Sequence, residues 1–426
     1  MLEVNRIRTE KAQMAEALKK RGWGDDKLTI LDQAIAADDE RKKLQTTNDA
    51  FLAERNKLSA EIGQLFKAGK ADEANAIKSK VEGLKTQIAE AESKMSDAIG
   101  NLESLLLQIP NIPHGSVPAG QSEDDNEVAK PWPEALPDMG EKALPHWDLA
   151  TKYNILDMKL GVKVTGAGFP VFRGKGAKLQ RALISFFLDE ASKAGYEEIV
   201  PPLLVNEDSA KATGQLPDKD GQMYYVERDN LYLIPTAEVP VTNLYRGDML
   251  KESAFPIKLT GYTQCFRREA GSYGADVKGL NRVHQFDKVE IVQLQHPDKS
   301  YETLDRMVAH VESLLKKLEL PYRILRLCGG DLSFASALTY DLEVYSAGQK
   351  RWLEVSSVSN FETFQSNRLK LRYKDADGKK RLAHTLNGSA LALARIIAAL
   401  LENNQTPEGI KIPEALRPYT GFDIID

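Results

Sequence analysis

Residues 258–269, KLTGYTQCFRRE, and residues 283–294, VHQFDKVEIVQL, decide how this chain is read. Both are strand-like, and the loop between them holds Gly271, Gly274 and Gly279 but no helical stretch. Two strands joined this way make a long hairpin, which is antiparallel by construction. Outward from it, residues 177–195, AKLQRALISFFLDEASKAG, read as an amphipathic helix closing at Gly195, followed by the apolar run EEIVPPLLV at 197–205. Later strands also arrive in neighbouring pairs. That pattern predicts an α+β class, an antiparallel β-sheet flanked by helices, rather than a doubly wound parallel fold. Neither common glycine-rich phosphate loop is present, so side chains must hold any nucleotide.

Across 426 residues, room for two or three domains, 57 basic and 62 acidic side chains leave a formal charge of −5. No global basic field advertises a nucleic acid, and any such partner must be met by a local patch. Cys265 and Cys328 are too few for a disulfide framework or a Cys/His zinc site. They suit a reducing compartment, and with no targeting or membrane segment visible the expected location is cytoplasmic.

The chain divides into residues 1–109, helical; 110–145, a Pro-rich linker with seven of the nineteen prolines; and 146–426, mixed helix and strand. In the first part Ile77, Val81, Leu84, Ile88, Ala91, Met95, Ala98, Leu102 and Leu105 recur alternately four and three apart. Leu44, Phe51, Leu58 and Leu65 recur every seven, and Gly69 followed by Asp72 offers a helix stop and a new cap. Together they predict an antiparallel coiled-coil arm of two helices, each on the order of 55 Å long. Between Arg55 and Lys85, around the tip, seven basic residues face four acidic ones. A dimerising or scaffolding coiled coil and a phosphate-binding arm both fit this pattern.

Strand alternation places Arg267 and Glu269 on one face of the first hairpin strand, and Phe286 and Glu290 on one face of the second. Such a face is either a self-satisfied salt-bridge network or a pocket in which guanidinium meets phosphate, a ring stacks on a base and a carboxylate accepts from an amine. In LIPTAEVP, Thr236 and Glu238 are two apart and would share one side of a strand. In LEVSSVSNFETFQSNR, Glu354 and the serines beside it offer hard oxygen ligands for Mg²⁺, with Asn360, Gln365 and Arg368 as surrounding donors. HTLNGSALALARIIAALL runs from a polar turn into an apolar helix carrying Arg395, which is either a snorkelling side chain or a phosphate ligand.

On these blocks, with TGQLP at 213–217, TYDLEV at 339–344 and IPEALRPY at 412–419, the whole chain resembles the seryl-tRNA synthetase family of class II aminoacyl-tRNA ligases. The resemblance implies that Arg267 grips the α-phosphate of ATP, Glu269 meets the adenine amino group and Phe286 stacks on the base. Thr236, Glu238, Arg267, Glu290, Asn387 and Ser389 would line a serine pocket. Glu354 and Ser357 would hold Mg²⁺, and Arg395 would meet the γ-phosphate. Because Ser356 and Ser357 cannot share a face of a regular strand, a bulge is expected there.

The resemblance further implies a homodimer formed through the helix after Gly176 and the strand near Pro202, and an arm that binds tRNA(Ser), with serine loading of tRNA(Sec) a further option. No zinc and no membrane are implied. The six histidines, His284 and His384 among them, are read as structural. The sequence departs from the family's usual pattern at Arg268, Val358, Ser366, Asn367 and Ala390. A ligase that loads serine onto an acceptor other than tRNA, and an inactive relative that kept the fold, are the alternatives. The arm speaks against the first, and the intact Arg267, Glu269, Glu290, Glu354 and Arg395 speak against the second.

Overall fold

A computed structural model describes residues 1–140, 143–218, 221–269 and 278–426. Gly271 and Gly274 lie outside the described residues. The chain forms two compact units, one of residues 1–19 with 23–110, the other of residues 20–22 with 111–426.

The first unit is helical: α1 (Val4–Lys19), α2 (Asp25–Lys67) and α3 (Ala71–Gln108). The short connection at 68–70 forces α2 and α3 antiparallel. Gly69 takes a φ of +74° there, and Lys70 N donates back to Leu65 O at 3.0 Å, closing the turn as a helix stop does. The new helix begins at Ala71 with Lys70 as its cap residue, so Asp72 sits in the first turn rather than capping it. There its charge complements the helix dipole. Every residue of the heptad seam from Ile77 to Leu105 is buried or half-buried, because the 3.5-residue repeat keeps one stripe of α3 against its partner. The remaining helix, α1, outside the expected two-helix arm, is tied to α2 through Asp38. This carboxylate, 1% exposed, meets Arg8 at 3.1 Å, Arg41 at 2.7 Å and Lys42 at 2.7 Å.

The second unit is built on an eight-stranded sheet: β1 (Glu127–Lys130), β2 (Glu197–Glu198), β3 (Ile257–Phe266), β4 (Gln285–Gln295), β5 (Tyr322–Arg326), β6 (Leu338–Ser346), β7 (Arg351–Asn360) and β8 (His384–Ala392). The spatial order is β1-β5-β6-β7-β8-β4-β3-β2. Every pair is antiparallel except the outermost, where the two residues of β2 run parallel to β3. The proline-rich stretch is not a separate linker: from Asn111 it belongs to this unit and supplies the edge strand β1.

Helices α4 (Gly174–Lys193), α5 (Ser300–Lys317) and α6 (Leu393–Asn403) pack on the sheet. Leu183 and Phe187 of α4, Met307 and Val311 of α5, and Ile396 and Leu400 of α6 share one core with Val289, Ile291, Val358 and Leu386 of the strands. A pleated strand sends alternate side chains to opposite faces, so the neighbours of those core residues are turned the other way. That second face carries the site.

Candidate active site

On β4, Lys288 and Glu290 alternate with Val289 and Ile291 of the core, and Phe286, two residues before Lys288, is half-buried against the core's edge. In the ladder Glu290 stands opposite Ser389 of β8, Val292 opposite Asn387, and Asn387 opposite Ser359 of β7. Three adjacent central strands thus present polar side chains to a cleft of about 590 Å³. Thr236, Glu238, Arg267, Glu269, Glu290, Glu354, Ser357, Asn387 and Ser389 all line it. A slot of about 110 Å³ shares Arg267, Glu269 and Glu354 and adds Phe286 and Arg395. The side chains expected to bind ATP, serine and Mg²⁺ therefore line two adjoining cavities.

The local backbone differs from expectation in two places. Strand β3 ends at Phe266, so Arg267, Arg268 and Glu269 lie beyond it and alternation does not place them. Arg267 N still donates to His284 O at 2.9 Å, while Glu269 turns left-handed with a φ of +47°. The Arg267 guanidinium lies 5.3 Å from the Phe286 ring centroid, a cation–π contact that holds arginine and ring as one wall of the slot. Glu269 pairs instead with Arg282 at 3.5 Å.

Thr236 and Glu238 are not on a strand either. Glu238 opens the short helix Glu238–Asn243, and Thr236 Oγ1 accepts from Glu238 N at 3.2 Å while donating to Glu290 Oε2 at 3.1 Å. A single turn brings together what was expected from alternation.

Glu290 and Glu238 are 2% and 8% exposed. Two buried carboxylates need compensation. Lys288 Nζ provides it for Glu290 at 2.7 Å, and Gln365 Nε2 donates to Glu238 Oε1 at 2.6 Å. Burial, reinforced by the neighbouring Glu290 charge, pushes the Glu238 carboxyl up to about 7 against these hydrogen bonds. The result is an enclosed, net acidic end to the cleft, suited to an ammonium group.

The strand does carry a bulge, at Val355 rather than at Ser356 and Ser357, which keep opposite faces. Leu342 pairs with Ser356 but Glu343 pairs with Glu354, which leaves Val355 as the extra residue. One inserted residue puts Glu354 and Ser357, three apart, on the same face. Ser356 turns inward and donates to Ser389 O at 2.6 Å. Behind Ser357, its hydrogen-bond partner Asp341 is pushed well above the usual carboxyl range by burial and by the Glu354 charge. Glu354 is half exposed and Ser357 half-buried, both toward the cleft. A half-exposed carboxylate and a hydroxyl fit a magnesium ion that keeps waters and substrate oxygens for the rest of its shell. Among the described residues no three His, Cys, Asp or Glu groups converge as a metal cluster.

Arg395 Nη1 donates to Glu354 O at 2.8 Å and lies 3.5 Å from Glu354 Oε2. Asn360 and Arg368 do not surround Glu354: Asn360 Nδ2 donates to Ser300 Oγ at 3.0 Å, and Arg368 Nη1 to Lys211 O at 2.9 Å.

Sequence reasoning missed Lys288 and Arg282. The first was legible, since the alternation that joins Phe286 to Glu290 passes through it. Arg282 follows a loop, where no period marks a facing residue.

A sequence profile described as the seryl-tRNA synthetase N-terminal domain matches residues 1–113, and the tRNA synthetase class II core domain (G, H, P, S and T) matches residues 224–404. The serine–tRNA ligase of Salinibacter ruber is 50% identical over 424 residues, covering 99% of this chain and 98% of that one. The chain belongs to the seryl-tRNA synthetase family. Its likeness to other seryl-tRNA synthetases includes that of Chlorobaculum parvum, 44% identical over 429 residues with both chains covered in full. In three dimensions it is similar to the seryl-tRNA synthetase from Pyrococcus horikoshii, a structure complexed with ATP, with a TM-score of 0.89 at 33% identity and coverage of 100% and 99%. The prolyl-tRNA synthetase of Giardia lamblia, at 17% identity, 64% and 54% coverage and a TM-score of 0.56, shares the fold alone.

Proposed function

We propose that this chain activates L-serine with ATP and transfers the seryl group to the terminal ribose of tRNA(Ser). One juxtaposition carries the reading: the acidic, enclosed end formed by Glu238, Glu290 and Lys288 opens directly onto the slot of Arg267, Phe286, Glu354 and Arg395.

Serine's ammonium would sit against Thr236 and Glu238, and its hydroxyl against Glu290, Asn387 and Ser389. A pocket that hydrogen-bonds the hydroxyl rejects alanine, which would leave buried polar groups unpaired, more strongly than threonine, whose extra methyl only needs space. Adenine would stack on Phe286 with its amino group toward Glu269. The serine carboxylate is already ionised at neutral pH, so positioning and charge stabilisation carry the first step without a general base. Arg267 meets the charge that develops on the α-phosphoryl oxygens, and Arg395 meets the departing pyrophosphate. Glu354 and Ser357 would hold Mg²⁺, which when bound neutralises phosphate charge. The adenylate then yields its seryl group to the ribose hydroxyl of tRNA and releases AMP.

The helical unit would bind tRNA through the basic tip around Lys67, Lys70 and Lys78, and residues 174–202 would pair two copies as a homodimer. Among the described residues no helix is long and apolar enough to cross a membrane. The deciding experiment is amino-acid-dependent ATP–pyrophosphate exchange with all twenty amino acids, followed by charging of tRNA(Ser). Exchange with serine alone is expected, and exchange with another amino acid, or with none, would reject this reading.

A further inference from the structure

Beyond the cleft wall, His146 and Glu402 form a fully enclosed pair. Glu402 Oε1 accepts from His146 Nδ1 at 2.7 Å, from His146 N at 2.8 Å and from Gln349 Nε2 at 3.0 Å. Its Oε2 accepts from Gly348 N at 3.2 Å and from Ser346 Oγ. Burial alone would push the Glu402 carboxyl up, yet hydrogen bonds led by those of His146 and Ser346 hold it below the usual range. Nothing in the reaction described above uses either residue.

Their outward bonds lead to the nucleotide slot by two routes. First, Leu280 N donates to His146 Nε2 at 2.8 Å, which fixes the tautomer with the proton on Nδ1 toward Glu402. Gly279, at a φ of +66°, presses so close that a Cβ there would stand 2.3 Å from His146 Nε2. The next residue back, Lys278, lies 4.6 Å from the ring centroid of Trp147. Residues 278–280 are therefore gripped by two consecutive side chains. Second, Asn281 Nδ2 donates to Gln349 Oε1 at 2.8 Å, and Gln349 donates in turn to Glu402. Asn281 O then accepts from Arg395 Nε at 3.1 Å, and Arg282, next in sequence, reaches Glu269.

We propose that His146, Glu402 and Gln349 are positioning residues for the nucleotide half of the site, fixing residues 278–282 so that Arg395 and Arg282 stand ready at the phosphates. The inference rests on the reading of this slot as an ATP site. A buried hydrogen-bond network resists displacement, because each bond broken leaves a desolvated group unpaired. An arginine held by such a network loses less freedom when it meets a phosphate, which strengthens binding without a new contact. The serine end is held by other bonds, Thr236 Oγ1 to Glu290 Oε2 and Lys288 Nζ to Glu290 Oε2, so the effect is expected at ATP.

The test uses the full-length protein. Gln349→Ala cuts the second route without emptying the core, and His146→Gln can keep an acceptor near Nε2 while losing the donor to Glu402. Equilibrium dialysis of ATP gives its Kd, pyrophosphate exchange gives KM for ATP and for serine separately, and a thermal melt checks folding. The expected result for Gln349→Ala is ATP binding weakened on the order of tenfold, the scale of one lost hydrogen bond, with KM for serine unchanged. His146→Gln should weaken ATP binding similarly, through loss of the bond to Glu402. Folded variants with unchanged ATP affinity, or with equal losses for ATP and serine, would overturn the proposal alone. Wild-type protein that binds no ATP would remove the nucleotide reading and this inference together.

Discussion

Lys288 Nζ lies 2.7 Å from Glu290 Oε2, both side chains being less than a tenth exposed on one face of β4. A buried ion pair of this kind adds little net stability over apolar packing, but breaking it is costly because the survivor is left charged and unpaired. Beside the pair, burial and then the Glu290 charge disfavour the ionised form of Glu238.

Lys288→Met should therefore destabilise the second unit by about 3–5 kcal/mol, read as a fall in the urea midpoint. Adding Glu290→Gln should recover much of that loss while serine activation stays abolished. A double variant no more stable than the single one would contradict the pairing.

Glu238 should couple serine binding to protons. Burial pushes its carboxyl up from the ordinary 4.5 to about 7, so the protonated form gains as pH falls below 7. An incoming ammonium favours the ionised form, so binding at pH 6.5 should release a fraction of a proton and KM for serine should rise as pH falls through 7. Calorimetry in two buffers of different ionisation enthalpy measures the release, which should vanish in Glu238→Gln.

Arg267→Ala should slow adenylate formation by on the order of 10²-fold, the scale for losing one donor to developing charge. A single-turnover rate within twofold of wild type would remove Arg267 from that role.

Deleting residues 30–105 should spare serine-dependent pyrophosphate exchange and abolish tRNA charging. Undiminished charging at the same tRNA concentration would mean that the helical unit does not hold the tRNA.

Asp38 should make the helical unit acid-sensitive. Burial opposes its charge, but hydrogen bonds from Lys42, Arg41 and Arg8 win and depress the carboxyl from 3.8 to about 2. A depressed carboxyl contributes stability that is complete above its unfolded value and is lost as pH falls from about 4 towards 2. Its partners are 29–55% exposed, so solvent screening limits the effect. Asp38→Asn should cost about 1–2 kcal/mol at pH 7, with the difference in helix unfolding by circular dichroism closing towards pH 2.

The sequence by itself determined what depends on regular spacing. The heptad seam from Ile77 to Leu105 specified two paired helices, and the antiparallel pairing of β3 with β4 followed from a glycine-bearing loop with no helix between strand-like runs. The same logic, with the family resemblance, placed Glu290, Asn387, Ser389 and Glu354 in one site and called for a bulge at Ser356 and Ser357, one residue from where it lies. Periodicity is a local property of the backbone, so it survives without knowledge of neighbours.

What only the tertiary structure decided involves residues that no period links. Thr236 and Glu238 meet through a turn and a helix start, and Arg267 and Glu269 lie past the end of their strand. The proline-rich stretch supplies an edge strand whose partner, β5, is almost two hundred residues away. Lys288 acquires its weight only because Glu290 is enclosed beside it, and His146 reaches Arg395 only through Leu280, Gln349 and Asn281. Desolvation and long-range hydrogen bonds depend on what packs against a residue, and that is settled when the whole sheet and its helices close around it.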